Sequence, residues 1–228
     1  MLPNFIRFLP HFLYAAFLFR DYSPQKVTFS SLNRWLNQFE ETDRSTIMRF
    51  LLNVNYLSEN KTRSILVDQN EILLSHLKQA DIPEENVIYV QIHDPGSSSP
   101  VMLNMVRDAS RLERRRCSFI DSKDVRKLYD RTKELEKGGI IYVDDFAGTG
   151  TQFCEVRDFL AEFIVGNFAE YFLVASICEE ALYKLGERGV EAVSGGIHSK
   201  VDRPLHPNCT LLDPKKKREV EGHLQRDR

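Results

Sequence analysis

Residues 139–151 combine side chains suited to chemistry on a phosphorylated sugar. The apolar run Ile140-Ile141-Tyr142-Val143 ends in the tandem acids Asp144 and Asp145, and Phe146-Ala147-Gly148-Thr149-Gly150-Thr151 follows. A short β-branched run reads as a strand, and the glycine-threonine turn after it opens a helix. Gly148 and Gly150 permit close backbone approach and leave N–H groups pointing outward. Thr149 and Thr151 add hydroxyl donors at a helix N-terminus, where the helix dipole favours an anion. Asp144 and Asp145 cannot bind phosphate themselves, but they can accept hydrogen bonds from the vicinal hydroxyls of a ribose or hold Mg2+. Together these residues describe a ribose 5-phosphate pocket; taken singly, they could be aspartates capping a helix and glycines in a tight turn.

Several elements must position that string. Strands are expected at Val87 to Ile92, Cys117 to Ile120, Ile140 to Val143, Tyr171 to Ile177 and Val190 to Val193. Helices are expected at about Val101 to Arg111, Val125 to Lys137, Gln152 to Phe163 and Glu179 to Arg188. Short apolar strands alternating with amphipathic helices predict an α/β fold, a parallel sheet with helices on both faces, in which ligands sit beyond the carboxyl ends of the strands. This α/β domain spans residues 81–210. Residues 1–80 read as an N-terminal helical extension. There Leu32, Trp35, Leu36 and Phe39 share one helical face, Ile47, Leu51, Val54 and Leu57 nearly repeat the pattern, and Glu41-Thr42-Asp43 supplies an N-cap. A third helix from Ser64 to Leu77 is expected to bury Ile65, Ile72, Leu73 and Leu77. Residues 211–228, with Lys215-Lys216-Lys217-Arg218, read as a flexible basic tail.

The segment from Val143 to Thr151 resembles the phosphoribosyl diphosphate motif of the type I phosphoribosyltransferase-fold family, an apolar strand, two acids, two variable residues and a TG-containing turn. Val143, Asp144, Asp145, Phe146, Thr149 and Gly150 match it. The resemblance implies a phosphoribosyltransferase-like core in which Asp144 and Asp145 bind the ribose 2- and 3-hydroxyls, with Mg2+ held indirectly through the substrate. It also implies that Ala147, Gly148, Thr149, Gly150 and Thr151 wrap the 5-phosphate. An acid or threonine often stands in this family where the chain has Gly148, and in some members it is the general base toward a nucleobase. The family also places a pyrophosphate loop after an earlier strand, and Asp94-Pro95-Gly96-Ser97-Ser98-Ser99 follows Val87 to Ile92. Small hydroxyl residues with a glycine suit an anion-binding turn, so Gly96, Ser97 and Ser98 join the candidates. Arg203 and His206, each followed directly by a proline (Pro204 and Pro207) that would hold it stiffly near the ligand face, are candidates for base or diphosphate contact. Arg111, Arg114, Arg115 and Arg116 are either cations for a diphosphate or a solvated helix end. The helical front, with Trp35-Leu36-Asn37-Gln38-Phe39, resembles the phosphoribosyltransferase-like domains of bacterial conflict and anti-phage systems.

Phosphoribosyl diphosphate or a nucleotide is therefore the expected ligand, with phosphoribose transfer to an acceptor that no residue pattern identifies. One alternative is a non-catalytic nucleotide-binding sensor, favoured by Gly148 and by the roughly 35 residues after Val193 left to cover the site. Another is an S-adenosylmethionine-dependent methyltransferase, because an acid before Phe-x-Gly-x-Gly occurs in such cofactor loops. That chemistry also needs an Asn or Asp followed by two prolines and an aromatic, which the chain lacks.

The composition narrows the class further. With 228 residues, 42% hydrophobic and 28% charged, the chain is long enough to bury its own core, which excludes disorder and collagen-like repeats. Thirty-one basic against 33 acidic residues give a net charge of −2, no footprint for nucleic acid or membrane. The apolar N-terminal stretch, interrupted by Pro10 and His11, is too short to span a bilayer and reads as a buried or interfacial helix, with a membrane-surface anchor or a mis-chosen start as alternatives. A protein partner is expected on the N-terminal helices. Cys117, Cys154, Cys178 and Cys209 have no CxxC spacing, so free thiols, a cytoplasmic protein and no zinc site are expected.

Overall fold

A computed structural model of the protein describes residues 4–22, 25–92 and 98–219. The chain divides into two units, residues 1–58 with 201–228, and residues 59–200.

The first unit contains α1 (Asn4–Leu18), α2 (Phe29–Leu36) and α3 (Arg44–Leu52). Helix α1 runs through Pro10, where the sequence reads an interruption. Proline inside a helix costs about 3 kcal/mol. Phe8, Phe12, Ala15 and Phe19, spaced i, i+4, i+7 and i+11, are nevertheless buried with Leu32, Leu36 and Met48. Each buried phenyl contributes about 1.5–3 kcal/mol, so packing outweighs the local defect. The opposite side of α1 leaves Leu13, Tyr14 and Phe17 more than half exposed. Among the described residues no helix is long and apolar enough to cross a membrane. A reciprocal Thr28–Ser31 capping box starts α2. Asp43 occupies the N-cap of α3, but its side chain makes no capping bond because its backbone is already helical. Residues 214–219 form a helical turn. The ammonium of Lys217 in that turn is buried and donates to the carbonyls of His206, Pro207 and Cys209 at 2.6, 2.9 and 2.6 Å.

The second unit opens with α4 (Glu59–Gln79) and continues through a 3-10 turn (Glu84–Asn86), β1 (Val87–Gln91), α5 (Ser99–Ala109), β2 (Ser118–Asp121), α6 (Val125–Leu135) and β3 (Lys137–Ala147). It ends with α7 (Thr151–Ala161), β4 (Asn167–Cys178), α8 (Glu179–Gly186), β5 (Val190–Ser194) and the short β6 (Ile197–His198). The strand order is β2-β1-β3-β4-β5, with β6 on β4, and every pairing is parallel. Alternate residues of each strand point to opposite faces. Ile88, Val90, Ile140, Tyr142, Phe172 and Val174 pack with Leu128, Phe153, Leu160, Ala181 and Leu185 of α6, α7 and α8. The other face lies under α4 and α5. Gly139 lets Leu77 of α4 come within 3.0 Å of where a Cβ would stand, and Tyr89 of β1 donates to Asn70 of α4 at 2.7 Å. Helix α4 buries Thr62, Leu66, Asn70, Leu73, Leu74 and Leu77, while Ile72 is 47% exposed. Leu73 and Leu77 are thus buried as expected and Ile65 is half-buried, whereas Ile72 faces outward because the buried stripe admits a threonine and an asparagine that hydrophobicity alone would put outside.

Candidate functional site

In this strand order the chain leaves β1 toward β2 and returns on the other side of β1 as β3, which opens a crevice at their carboxyl ends. The lengths of the strands shape it. Pairing between β1 and β3 ends at Val90 with Tyr142, whereas β3 pairs with β4 as far as Ala147 with Ile177. Residues Asp144 to Ala147 therefore extend beyond the end of β1, with one edge of the strand open.

Two serines at the start of α5 occupy that edge. Ser99 is fully buried; its hydroxyl donates to the Val143 carbonyl at 2.6 Å and accepts from the Ile92 N–H at 3.0 Å. It continues the ladder where β1 stops. The Ser98 hydroxyl lies 2.5 Å from Asp144 Oδ1 and 2.8 Å from Asp145 Oδ1. A single proton serves both carboxylates, so each retains accepting capacity for other hydroxyl groups. Burial pushes the Asp144 carboxyl above its ordinary range. The Ser98 hydroxyl and the Asp145 N–H, which donates to Asp144 Oδ1 at 2.9 Å, pull it back, and the adjacent Asp145 charge adds to the rise.

The loop after β3 completes the crevice, which is lined by Asp144, Phe146, Gly148, Thr149, Thr151 and Phe153 among others. Gly150 is left-handed, with φ +71°, and is the N-cap of α7 with no side chain to cap it. A Cβ on Gly150 would stand 3.1 Å from both Cα and Cβ of Ala181, so its absence lets α8 lie directly against the loop. The Thr149 hydroxyl lies 3.2 Å from that of Thr151, and Lys184 of α8 donates to Thr151 Oγ1 at 2.9 Å. Phe146 is 51% exposed, with its ring centroid 6.4 Å from that of His198.

The sheet unit thus brings Ser98, Asp144, Asp145 and Ala147 to Thr151 together. Gly96, Ser97 and His93 lie outside the described residues. Arg203 and His206 belong to the helical unit. There Arg203 is exposed, and His206 Nδ1 accepts from the Asn208 N–H at 3.2 Å. The basic cluster at 111–116 precedes β2 and therefore lies at the amino end of the strands, whereas the crevice opens at their carboxyl ends. Arg115 there pairs with Glu71 at 2.9 Å and Glu84 at 3.1 Å, so it ties α4 to the 3-10 turn and is not a diphosphate contact. All four cysteines are unpaired, and among the described residues no group of three His, Cys, Asp or Glu side chains is placed to hold a metal. Ser99 and Lys184 were not singled out by the sequence. Ser99 is one of three successive serines, and Lys184 reaches Thr151 across 33 residues, a separation that leaves no local pattern.

These features define a doubly wound parallel α/β domain with an acid pair and a glycine-threonine turn at its switch point. The family PRTase-CE matches residues 32–226, most of the chain, and the protein belongs to that family, which makes it phosphoribosyltransferase-like. Among solved structures, orotate phosphoribosyltransferase from Aeropyrum pernix is similar at 17% identity over 62% of this chain and 78% of its own, with a TM-score of 0.39. No curated protein matches the chain.

Proposed function

We propose that the protein binds phosphoribosyl diphosphate or a nucleotide 5-phosphate in the crevice between β1 and β3 and transfers phosphoribose to an acceptor. The observation that carries this reading is the pair Asp144 and Asp145, held by one Ser98 hydroxyl one turn from the Gly148–Thr151 loop. The ribose 2- and 3-hydroxyls would take the place of the Ser98 proton on the two carboxylates. The 5-phosphate would lie on the N-terminal turn of α7, where backbone N–H groups and threonine hydroxyls converge. Displacement at the anomeric carbon passes through an oxocarbenium-like state, and a carboxylate pair beside the ribose favours that developing charge. Two carboxylates and a serine hydroxyl, with no group of three His, Cys, Asp or Glu side chains placed to hold a metal among the described residues, fit Mg2+ arriving on the diphosphate; Asp144 and Asp145 would hold it through the substrate, and the ion would neutralise the leaving group.

A second reading, a non-catalytic sensor of the same ligand, is favoured by one observation: the turn carries Gly148, which supplies no carboxylate to act as a general base. Isotope-labelled phosphoribosyl diphosphate incubated with the protein and cell extract separates the two, because a transferase releases diphosphate and a sensor only binds. The broader proposal keeps a conflict or anti-phage setting, supported by the helical-front resemblance. It also keeps a protein partner on the N-terminal helices, supported by the exposed Leu13, Tyr14 and Phe17. Arg203 and His206 remain proposed ligand contacts.

The acid pair supplies the test. Asp144→Asn combined with Asp145→Asn is expected to abolish calorimetric binding of phosphoribosyl diphosphate while the circular dichroism spectrum is retained. Unchanged affinity in that variant would overturn the reading.

A further inference from the structure

We infer that Lys184 is a positioning residue of the phosphate loop: it holds Thr151 as a hydroxyl donor and biases the loop toward a phosphomonoester. The inference rests on the sugar-phosphate reading of the crevice and extends it to a residue outside the motif. Its origin is the close contact of Gly150 with Ala181. Because Gly150 has no Cβ, α8 approaches until Ala181 lies against the loop backbone. Lys184, three residues further on, shares that helical face. Its ammonium then reaches Thr151 Oγ1 at 2.9 Å.

An ammonium has only protons to give, so Thr151 Oγ1 is the acceptor in this bond. Thr149 Oγ1, at 3.2 Å, is placed to donate to the same oxygen. With both lone pairs of Thr151 engaged, its own proton is the group left for an anion in the loop. The positive charge of Lys184 also stands beside the loop. It forms no ion pair among the described residues, and Asp158, the acid of α7 on that side, is taken by Arg157 and Arg188. A phosphomonoester gains a charge-assisted bond from the aimed hydroxyl and attraction to the positive charge, whereas a neutral sugar gains only an ordinary hydrogen bond.

Calorimetric titration of the 228-residue protein with ribose 5-phosphate, at low and at moderate salt, tests this. Lys184→Met is expected to weaken binding about tenfold or more, the scale of a lost hydrogen bond to a charged group, and to flatten the salt dependence. Lys184→Arg should restore affinity to within about threefold of the native protein, since the charge and the donor return. Thr151→Val should weaken binding too, and adding Lys184→Met to it should cost little more, because the two residues act as a unit. Thermal unfolding of each variant checks the fold, and Lys184→Gln stands in for a variant that does not fold. Native-like affinity and salt dependence in Lys184→Met would overturn the inference while leaving the sugar-phosphate reading intact. An arginine variant as weak as the methionine one would also overturn it, by reducing Lys184 to a packing role. Failure of the native protein to bind ribose 5-phosphate at all would remove the reading and the inference with it.

Discussion

Gly148 and Gly150 stand two residues apart in one turn and are there for different reasons. Gly150 is left-handed and touches Ala181, so a methyl group there is strained by backbone and by contact alike. Gly148 has no positive φ, and a Cβ on it would meet only the ring of Phe146, at 3.5 Å. Gly150→Ala is accordingly expected to destabilise the protein by about 1–3 kcal/mol, and Gly148→Ala by no more than about 0.5 kcal/mol; urea unfolding midpoints compare the two. Gly148 is also where resembling sequences often carry an acid or threonine. The space beside Phe146 shows that its absence here is not imposed by packing.

Among the elements, β3 is the one whose length matters most to function, because it outruns β1 and carries the acid pair past the edge of the sheet. Its apolar run ended at Val143, yet the strand continues to Ala147, since pairing with β4 compensates for the polarity of Asp144 and Asp145. The helix that follows is tied down from below. Arg157 of α7 binds both carboxylate oxygens of Glu170 on β4, and Tyr142 of β3 donates to the same group at 2.9 Å. Both charged side chains are less than one-fifth exposed. Removing one partner of such a pair leaves the other buried and uncompensated, so Arg157→Met is expected to cost about 3 kcal/mol. Arg157→Met with Glu170→Leu should recover part of that loss, as read from the same urea midpoints.

At the scale of the whole molecule, stability should depend on alkaline pH through Cys117. Burial pushes this thiol from an ordinary 9.0 up to about 12, and the charge of nearby Glu84 adds to the rise. Between those values the folded protein keeps a proton that the unfolded chain releases, so stability is lost as pH rises from 9 toward 12. Cys117→Ala is expected to flatten that decline, measured as urea midpoints at pH 8, 9.5 and 10.5. The parallel α/β class and the grouping of Asp144, Asp145 and the Gly148–Thr151 turn were legible in the sequence. Each rests on patterns a few residues long: apolar runs, helical spacing, and a turn directly after a strand. The order of the strands, the bond from Ser98 to both acids, the pairing of Arg115 with Glu71 and Glu84 and the reach of Lys184 to Thr151 were decided only by tertiary structure. They depend on which segments meet across tens of residues, and the energy that selects those meetings belongs to packed faces that no local stretch of sequence contains.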